Sequence, residues 1–182
     1  MVPSRAVPAA RGFTLIEVLI ALVVLAFGML SLARALGRSA QEEMEAQQRA
    51  KAITIVAEMA SRIANNPKQA ANYVGDYVPA GPVEDCDAVD LAAVVERDQC
   101  EWRNRLRGAD TFDGDRAIGS PIAARGCVIS TAPNIFVVAL AWQGILATDP
   151  ADSPCGLDQF GADNEKTRRV YSTTFQIATL GV

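Results

Sequence analysis

The chain has 182 residues, half of them apolar, with a formal net charge of −4 and no histidine. The apolar fraction supports one domain of ordinary size with a buried core, and the acidic balance argues against a nucleic acid held on a basic patch. The missing imidazole excludes a Ser-His-Asp triad, a Cys-His nucleophile and histidine metal ligation. With no nucleophile elbow or phosphate-binding loop either, neither catalysis nor a cofactor or metal is expected.

The first predicted element covers residues 13–33, a predominantly apolar run in which the carboxylate of Glu17 is the only charge. As a helix it spans roughly 32 Å, enough to cross a bilayer. Arg5 and Arg11 precede it and Arg34 and Arg38 follow, so basic residues set its orientation only weakly. The cysteines all lie downstream and call for an oxidising compartment, which puts the N-terminus in the cytoplasm. Three readings of the segment compete. A cleaved secretory signal would use MVPSRAVPAARG as its basic region and Ala33-Arg34-Ala35 as its cleavage site; the long core, the arginine in the site and Glu17 oppose it. A plain single-pass anchor leaves Glu17 unexplained, because a carboxylate facing lipid costs about 2.5–3.5 kcal/mol on insertion scales. The third reading supplies a cation: cleavage just upstream creates a free α-amino group, and that of a neighbouring copy can meet the carboxylate in hydrocarbon. Gly12 is then the cleavage point.

Gly12-Phe13-Thr14-Leu15-Ile16-Glu17, behind Arg11 and ahead of the apolar run, resembles the class III signal of type IV prepilins and type II secretion pseudopilins. The resemblance implies that a membrane prepilin peptidase cuts between Gly12 and Phe13 and N-methylates Phe13. It further implies that Glu17 docks the subunit onto a neighbour's amine during assembly. Leu25-Ala26-Phe27-Gly28-Met29-Leu30-Ser31-Leu32-Ala33 is similar to the Leu-Ala-x-Gly-Leu-Leu-Gly-Leu-Ala segment of PilV-like minor pilins, the type IV pilus modification proteins. Ser31 stands where that pattern has its second glycine. Arg34 stands where major pilins commonly carry proline, which points away from a major pilin. In an apolar helix Gly28 also reads as a tolerated small residue that allows close packing or local melting.

Beyond residue 33 the pattern turns amphipathic. Ile53, Val56, Ala60 and Ile63, with Ala52 and Met59 beside them, recur at spacings of three and four and predict one core-facing stripe. Arg34, Arg38, Glu42, Glu43, Glu45, Arg49, Lys51, Glu58 and Arg62 read as a solvated face, some of it available to neighbouring subunits. Asn65-Asn66-Pro67 ends the helix. A helix running from residue 13 to about 64 would be about 78 Å long, the spine that the pilin resemblance implies.

Residues 75–86 read as loop. A second helix follows, with Leu91, Val94, Val95, Trp102 and Leu106 on one face and Gly108 as its stop; Trp102 would dock it onto the rest of the head. Asp98, Trp102 and Leu106 also resemble the PilV-like head. Residues 108–125 read as loop, and Asp110, Asp113 and Asp115 around Gly114 miss the spacing of a calcium loop, so an exposed turn is expected. Glu84, Asp85, Asp87 and Asp90 are expected to be solvated carboxylates. Strands are predicted at residues 127–131, 135–143 and 169–178, the last alternating Tyr171, Thr173, Phe175 and Ile177 against Val170, Ser172, Thr174 and Gln176. A sheet with one buried face, packed on the amphipathic half of the long helix, makes the head α+β.

Cys86, Cys100, Cys127 and Cys155 form no Cys-x-x-Cys pair, which favours disulfides over zinc, and three connectivities are open. Pairing by adjacency ties Cys86 to Cys100, the loop to the second helix, and Cys127 to Cys155, the first long strand to the loop at residues 144–166. That loop is long for a hairpin and needs a clasp. The expected organisation is a leader at 1–12, a transmembrane and assembly helix at 13–37, its amphipathic continuation at 38–66 and a periplasmic head at 67–182. By resemblance the chain is a minor pilin, anchored in the inner membrane and carried into the pilus at the cell surface, where such subunits prime assembly and influence adhesion and motility. Its partners would be the peptidase, other pilin and minor pilin subunits, and the inner-membrane assembly machinery. A type II secretion pseudopilin shares the signal and the helix, and a membrane-anchored periplasmic binding domain is the remaining alternative.

Overall fold

A computed structural model describes residues 12–161 and 164–178; the flanking Arg5, Arg11 and the rest of the expected leader up to residue 11 lie outside them. The chain is α+β and divides into two units, one ending at Ala40 and one beginning at Gln41. Helix α1 (Leu15–Asn65) contributes to both. In the first unit its side chains are exposed throughout.

In the second unit α1 is followed by a short 3₁₀ helix (Pro67–Tyr73), strand β1 (Gly75–Tyr77), a 3₁₀ turn (Cys86–Ala88) and helix α2 (Val94–Arg107). Then come a small hairpin, β2 (Phe112–Asp113) with β3 (Arg116–Ala117), and the long strands β4 (Arg125–Ala132), β5 (Ile135–Gln143) and β6 (Arg168–Gln176). The main sheet has the order β1-β4-β5-β6, antiparallel throughout. Pro133 and Asn134 join β4 to β5; Asn134 takes φ 61°, a left-handed conformation that asparagine tolerates better than most residues. At the end of α2, Gly108 adopts φ 82°, and an added Cβ would lie 2.7 Å from the backbone nitrogens of Gly119 and Ser120. Only glycine closes that helix.

The core lies between α1 and one face of the sheet. Phe136, Val138, Leu140 and Trp142 of β5 and Val128 of β4 pack with Ala52, Ile55, Val56, Met59 and Ile63 of α1 and with Trp102 and Leu106 of α2. Trp102 is fully buried, and its Nε1 donates to the Ile55 carbonyl at 3.0 Å. Tyr77 meets its ring edge-on at 4.8 Å. Gly126 of β4 leaves the space the indole fills, since a Cβ there would come within 2.4 Å of the ring. The helix stripe is turned from the expected one: Ile55 is buried and Ile53 is 39 % exposed. In α2, Leu91 lies before the helix and is 78 % exposed, and Val94 is 46 % exposed, leaving Val95, Trp102 and Leu106 as its apolar face. Asp90 accounts for the late start, because its carboxylate accepts from the Ala92 N–H and its carbonyl from the Ala93 N–H, a turn that competes with helix.

The sheet is covered on its other side as well. Cys127, Ala139, Ala141 and Cys155 are buried there, with Phe160 and Val170 packed against them. The loop at residues 144–166 is held over this face by the Cys127–Cys155 disulfide and by Arg168, which is 1 % exposed. The Arg168 guanidinium donates to the carbonyls of Ala151, Ser153 and Cys155 and to the Glu165 carboxylate. The second disulfide joins Cys86 to Cys100 in α2.

Much of the supposedly solvated face of α1 is engaged. Glu45 accepts the backbone N–H groups of Ile145 and Leu146, and Lys51 donates to the Ile118 carbonyl. Arg62 bridges Glu58, Asp98 and Glu101; Arg105 reaches the other Glu58 oxygen, and the Tyr73 hydroxyl donates to Asp98. Burial works against the Arg62 charge, yet its three carboxylates hold its pKa above the ordinary value. Burial pushes the Tyr73 and Tyr77 hydroxyls up to about 12. Glu84 is likewise no solvated carboxylate: Arg103 grips it with two nitrogens and Arg107 with a third, while Asn104 bonds its backbone N–H and C=O. Asp85 accepts from the Asp87 N–H, and Asp110 pairs with Arg105.

Closing the loop between Cys127 and Cys155 is worth roughly 3–4 kcal/mol in the chain-entropy model. Cys127→Ser is therefore expected to lower the level of folded protein and to admit protease between residues 144 and 166; unchanged abundance and an unchanged digestion pattern would contradict it. The bonds from Arg103 and Arg107 hold the Glu84 carboxyl at about 2, below its ordinary 4.5. A carboxyl lowered by folding stabilises the fold above its unfolded pKa and loses that contribution as pH falls toward the folded one. Between pH 4.5 and about 2, Glu84→Gln should flatten the loss of stability measured by near-ultraviolet circular dichroism; parallel losses in both proteins would exclude this role.

Candidate functional site

The residues singled out by the sequence gather at the start of the described chain. Gly12, Phe13 and Thr14 precede the helix without regular secondary structure, and α1 begins at Leu15. The Gly12–Phe13 peptide bond thus lies outside the helix and is exposed, with Phe13 83 % accessible. Thr14 is the residue that fixes the start. Its hydroxyl accepts the Glu17 N–H at 3.3 Å and its carbonyl accepts from Glu17 and Val18. This satisfies an amide that the first helical turn cannot. Thr14-Leu15-Ile16-Glu17 has the threonine and glutamate spacing of a capping box, a local signal in the sequence for where this helix starts.

Glu17 occupies the first turn of α1, where the positive end of the helix dipole favours an anion. Its carboxylate is exposed and bonds to no described residue. Around and after it, Leu15, Ile16, Leu19, Leu22, Val24, Phe27, Met29 and Leu32 are each more than half exposed. Such a helix is long and apolar enough to cross a membrane, and its apolar surface needs a cover that its own unit does not supply. Ser31, the one hydroxyl between residues 18 and 33, donates back to the Phe27 carbonyl at 2.9 Å, so it costs little in hydrocarbon. An added Cβ at Gly28 would meet nothing within 4 Å. No contact within the unit requires a glycine there, although glycine in a helix interior costs about 1 kcal/mol relative to alanine.

Residues 8–33 match the prokaryotic N-terminal methylation motif. That match supports a type IV pilin-like or pseudopilin-like protein, a substrate of a prepilin peptidase with pilin-type partners. Together with the apolar helix it fits membrane anchoring. No curated protein and no solved structure matches the chain.

In the second unit the structure joins all four cysteines in pairs. A groove of about 870 Å³ runs between Met44–Lys51 of α1, the β2–β3 hairpin and residues 79–83. Met44, Val83, Phe112 and Ile122 line it and are about half exposed. Among the described residues no three acidic or cysteine side chains converge to hold a metal.

Proposed function

We propose that this chain is a minor type IV pilin: a prepilin cut between Gly12 and Phe13, methylated at Phe13, held in the inner membrane by its first apolar helix, and incorporated into the pilus with its disulfide-bonded head outside the cytoplasm. The match of residues 8–33 to the methylation motif carries the reading, and the local geometry agrees with it. A peptidase needs an extended substrate backbone, and the Gly12–Phe13 bond lies outside the helix. An exposed apolar helix can exchange lipid for the helices of neighbouring subunits, and the gap at Gly28 permits close approach. The similarity of residues 25–33 to PilV-like minor pilins favours the pilus over the secretion apparatus.

The Glu17 carboxylate, without a partner among the described residues, has a definite part in this scheme. In the membrane it costs insertion energy, and in the assembled fibre the Phe13 amine of an adjacent subunit neutralises it. The chain acts by assembly and not by catalysis.

Peptide mass spectrometry of trypsin-digested sheared fibres tests the proposal directly. The expected fragment begins at Phe13, ends at Arg34 and carries one additional methyl group. A fragment beginning at Gly12 means no cleavage and overturns it; the methylated fragment in membranes, with fibres lacking it at matched sensitivity, assigns the chain to a pseudopilus instead. Glu17→Ala should still be cut and methylated, yet enter fibres at least about tenfold less, a loss of 1.4 kcal/mol or more in docking. Incorporation at the wild-type level would leave the carboxylate without the docking role assigned here.

A further inference from the structure

Strand β6 is the free edge of the main sheet, and its hydrogen-bond register shows which residues present that edge. The Ile177 N–H donates to the Asn134 carbonyl and the Gly144 N–H to the Thr167 carbonyl. The pairing between them runs Phe136 with Phe175, Val138 with Thr173, and Leu140 with Tyr171. In an antiparallel ladder hydrogen-bonded and non-hydrogen-bonded pairs alternate, so Tyr171, Thr173 and Phe175 direct their backbone groups at β5. Val170, Ser172, Thr174 and Gln176 direct theirs outward. No other described residue bonds to those outward groups.

The two edges of the sheet differ sharply. The β1 edge is three residues long and carries Gly75 and Asp76, a short, charged edge of the kind that resists pairing. β6 runs for nine residues, and from Val170 to Gln176 it contains no charge, no proline and no glycine, so nothing in it deters a further strand. Its two arginines lie at its start and are turned into their own head, Arg168 onto loop carbonyls and Arg169 onto Leu146 and Thr148. Tyr171, Thr173, Phe175 and Ile177 are only half-buried, as befits a row that lacks a neighbour on one side.

We propose that this edge pairs with β6 of a second copy of the chain, antiparallel and centred on Thr173. The sequence of the strand is complementary to itself in that register. The outward backbone groups of Ser172 meet those of Thr174 in the second copy, and those of Val170 meet those of Gln176. Tyr171 then stands opposite Phe175 of the second copy on the face that packs on α1, and Thr173 opposite itself. Aromatic pairs and Thr–Thr pairs are among the favourable cross-strand combinations, and no like charges face one another. A register shifted by one residue would set Tyr171, Thr173 and Phe175, whose backbone groups are already used by β5, opposite the outward groups of the new strand.

All described cysteines are in disulfides, so an introduced thiol reports on its own. In the full chain in membranes, Thr173→Cys places two thiols across a non-hydrogen-bonded pair, with Cα atoms about 4.5 Å apart. Mild oxidation should yield a dimer whose linked peptide is this segment joined to itself. Asp76→Cys, on the other edge, should remain monomeric. Adding Ser172→Pro removes an outward donor while sparing the ladder to β5, and Thr174→Lys sets a charge in the seam; each should reduce the dimer about tenfold at unchanged protein level and protease resistance. Absence of the self-linked peptide, linkage to a different subunit, equal dimer from Asp76→Cys, or a yield indifferent to Thr174→Lys would overturn the proposal.

Discussion

The head depends on the place of one side chain. Trp102 is the point at which α1, α2, β1 and β4 meet: its N–H bonds the Ile55 carbonyl, its ring makes a T-shaped contact with Tyr77, and Gly126 gives it room. An indole buried without a partner for its N–H would carry an unmet donor into the core, and here a helix carbonyl supplies the acceptor. The contact fixes how far α2 lies from α1. It thereby places Arg105 against Glu58 and Asp98 against Arg62 and Tyr73, so the polar network around the tryptophan follows from the apolar one beneath it.

The first unit obeys a different rule. Between residues 15 and 33 its helix satisfies its own backbone, and even Ser31 bonds internally, so the one charge in that stretch is the Glu17 carboxylate of the first turn, which has no partner among the described residues. Lipid and the helices of neighbours are both suitable cover for the side chains. Only a cation suits Glu17, and the asymmetry between a promiscuous apolar surface and a single demanding charge is what gives a helix of this kind a preferred axial position among others.

Large parts of this arrangement were legible in the sequence. The motif around Gly12 and Glu17, the break at Pro67, the stop at Gly108 and the three long strands each have a local signal that nothing distant overrides. The phase of the α1 stripe had none: in Ala52-Ile53-Thr54-Ile55-Val56 both isoleucines are apolar, and the choice of Ile55 is made by Trp102 and the β5 side chains packed against it. β1 is three residues containing a glycine and an aspartate, a strand only because β4 lies beside it. The hairpin at residues 112–117 did carry a Gly-Asp turn signal at Gly114-Asp115, but its flanks lack the alternation that marks longer strands. Arg168 gave no hint of burial, because its acceptors are carbonyls of a loop whose path depends on the Cys127–Cys155 bond.

That both disulfides join cysteines adjacent in the chain bears on how the protein matures. A chain that becomes available to an oxidant from its N-terminal side offers Cys86 and Cys100 as the first two thiols, and their bond can close before Cys127 emerges. Cys127 and Cys155 are then the only thiols left. Oxidation in order of appearance yields the native pairs directly, whereas the interleaved and nested connectivities would need wrong bonds to be broken by thiolate attack. The biogenesis of this head therefore calls for an electron acceptor more than for an isomerase.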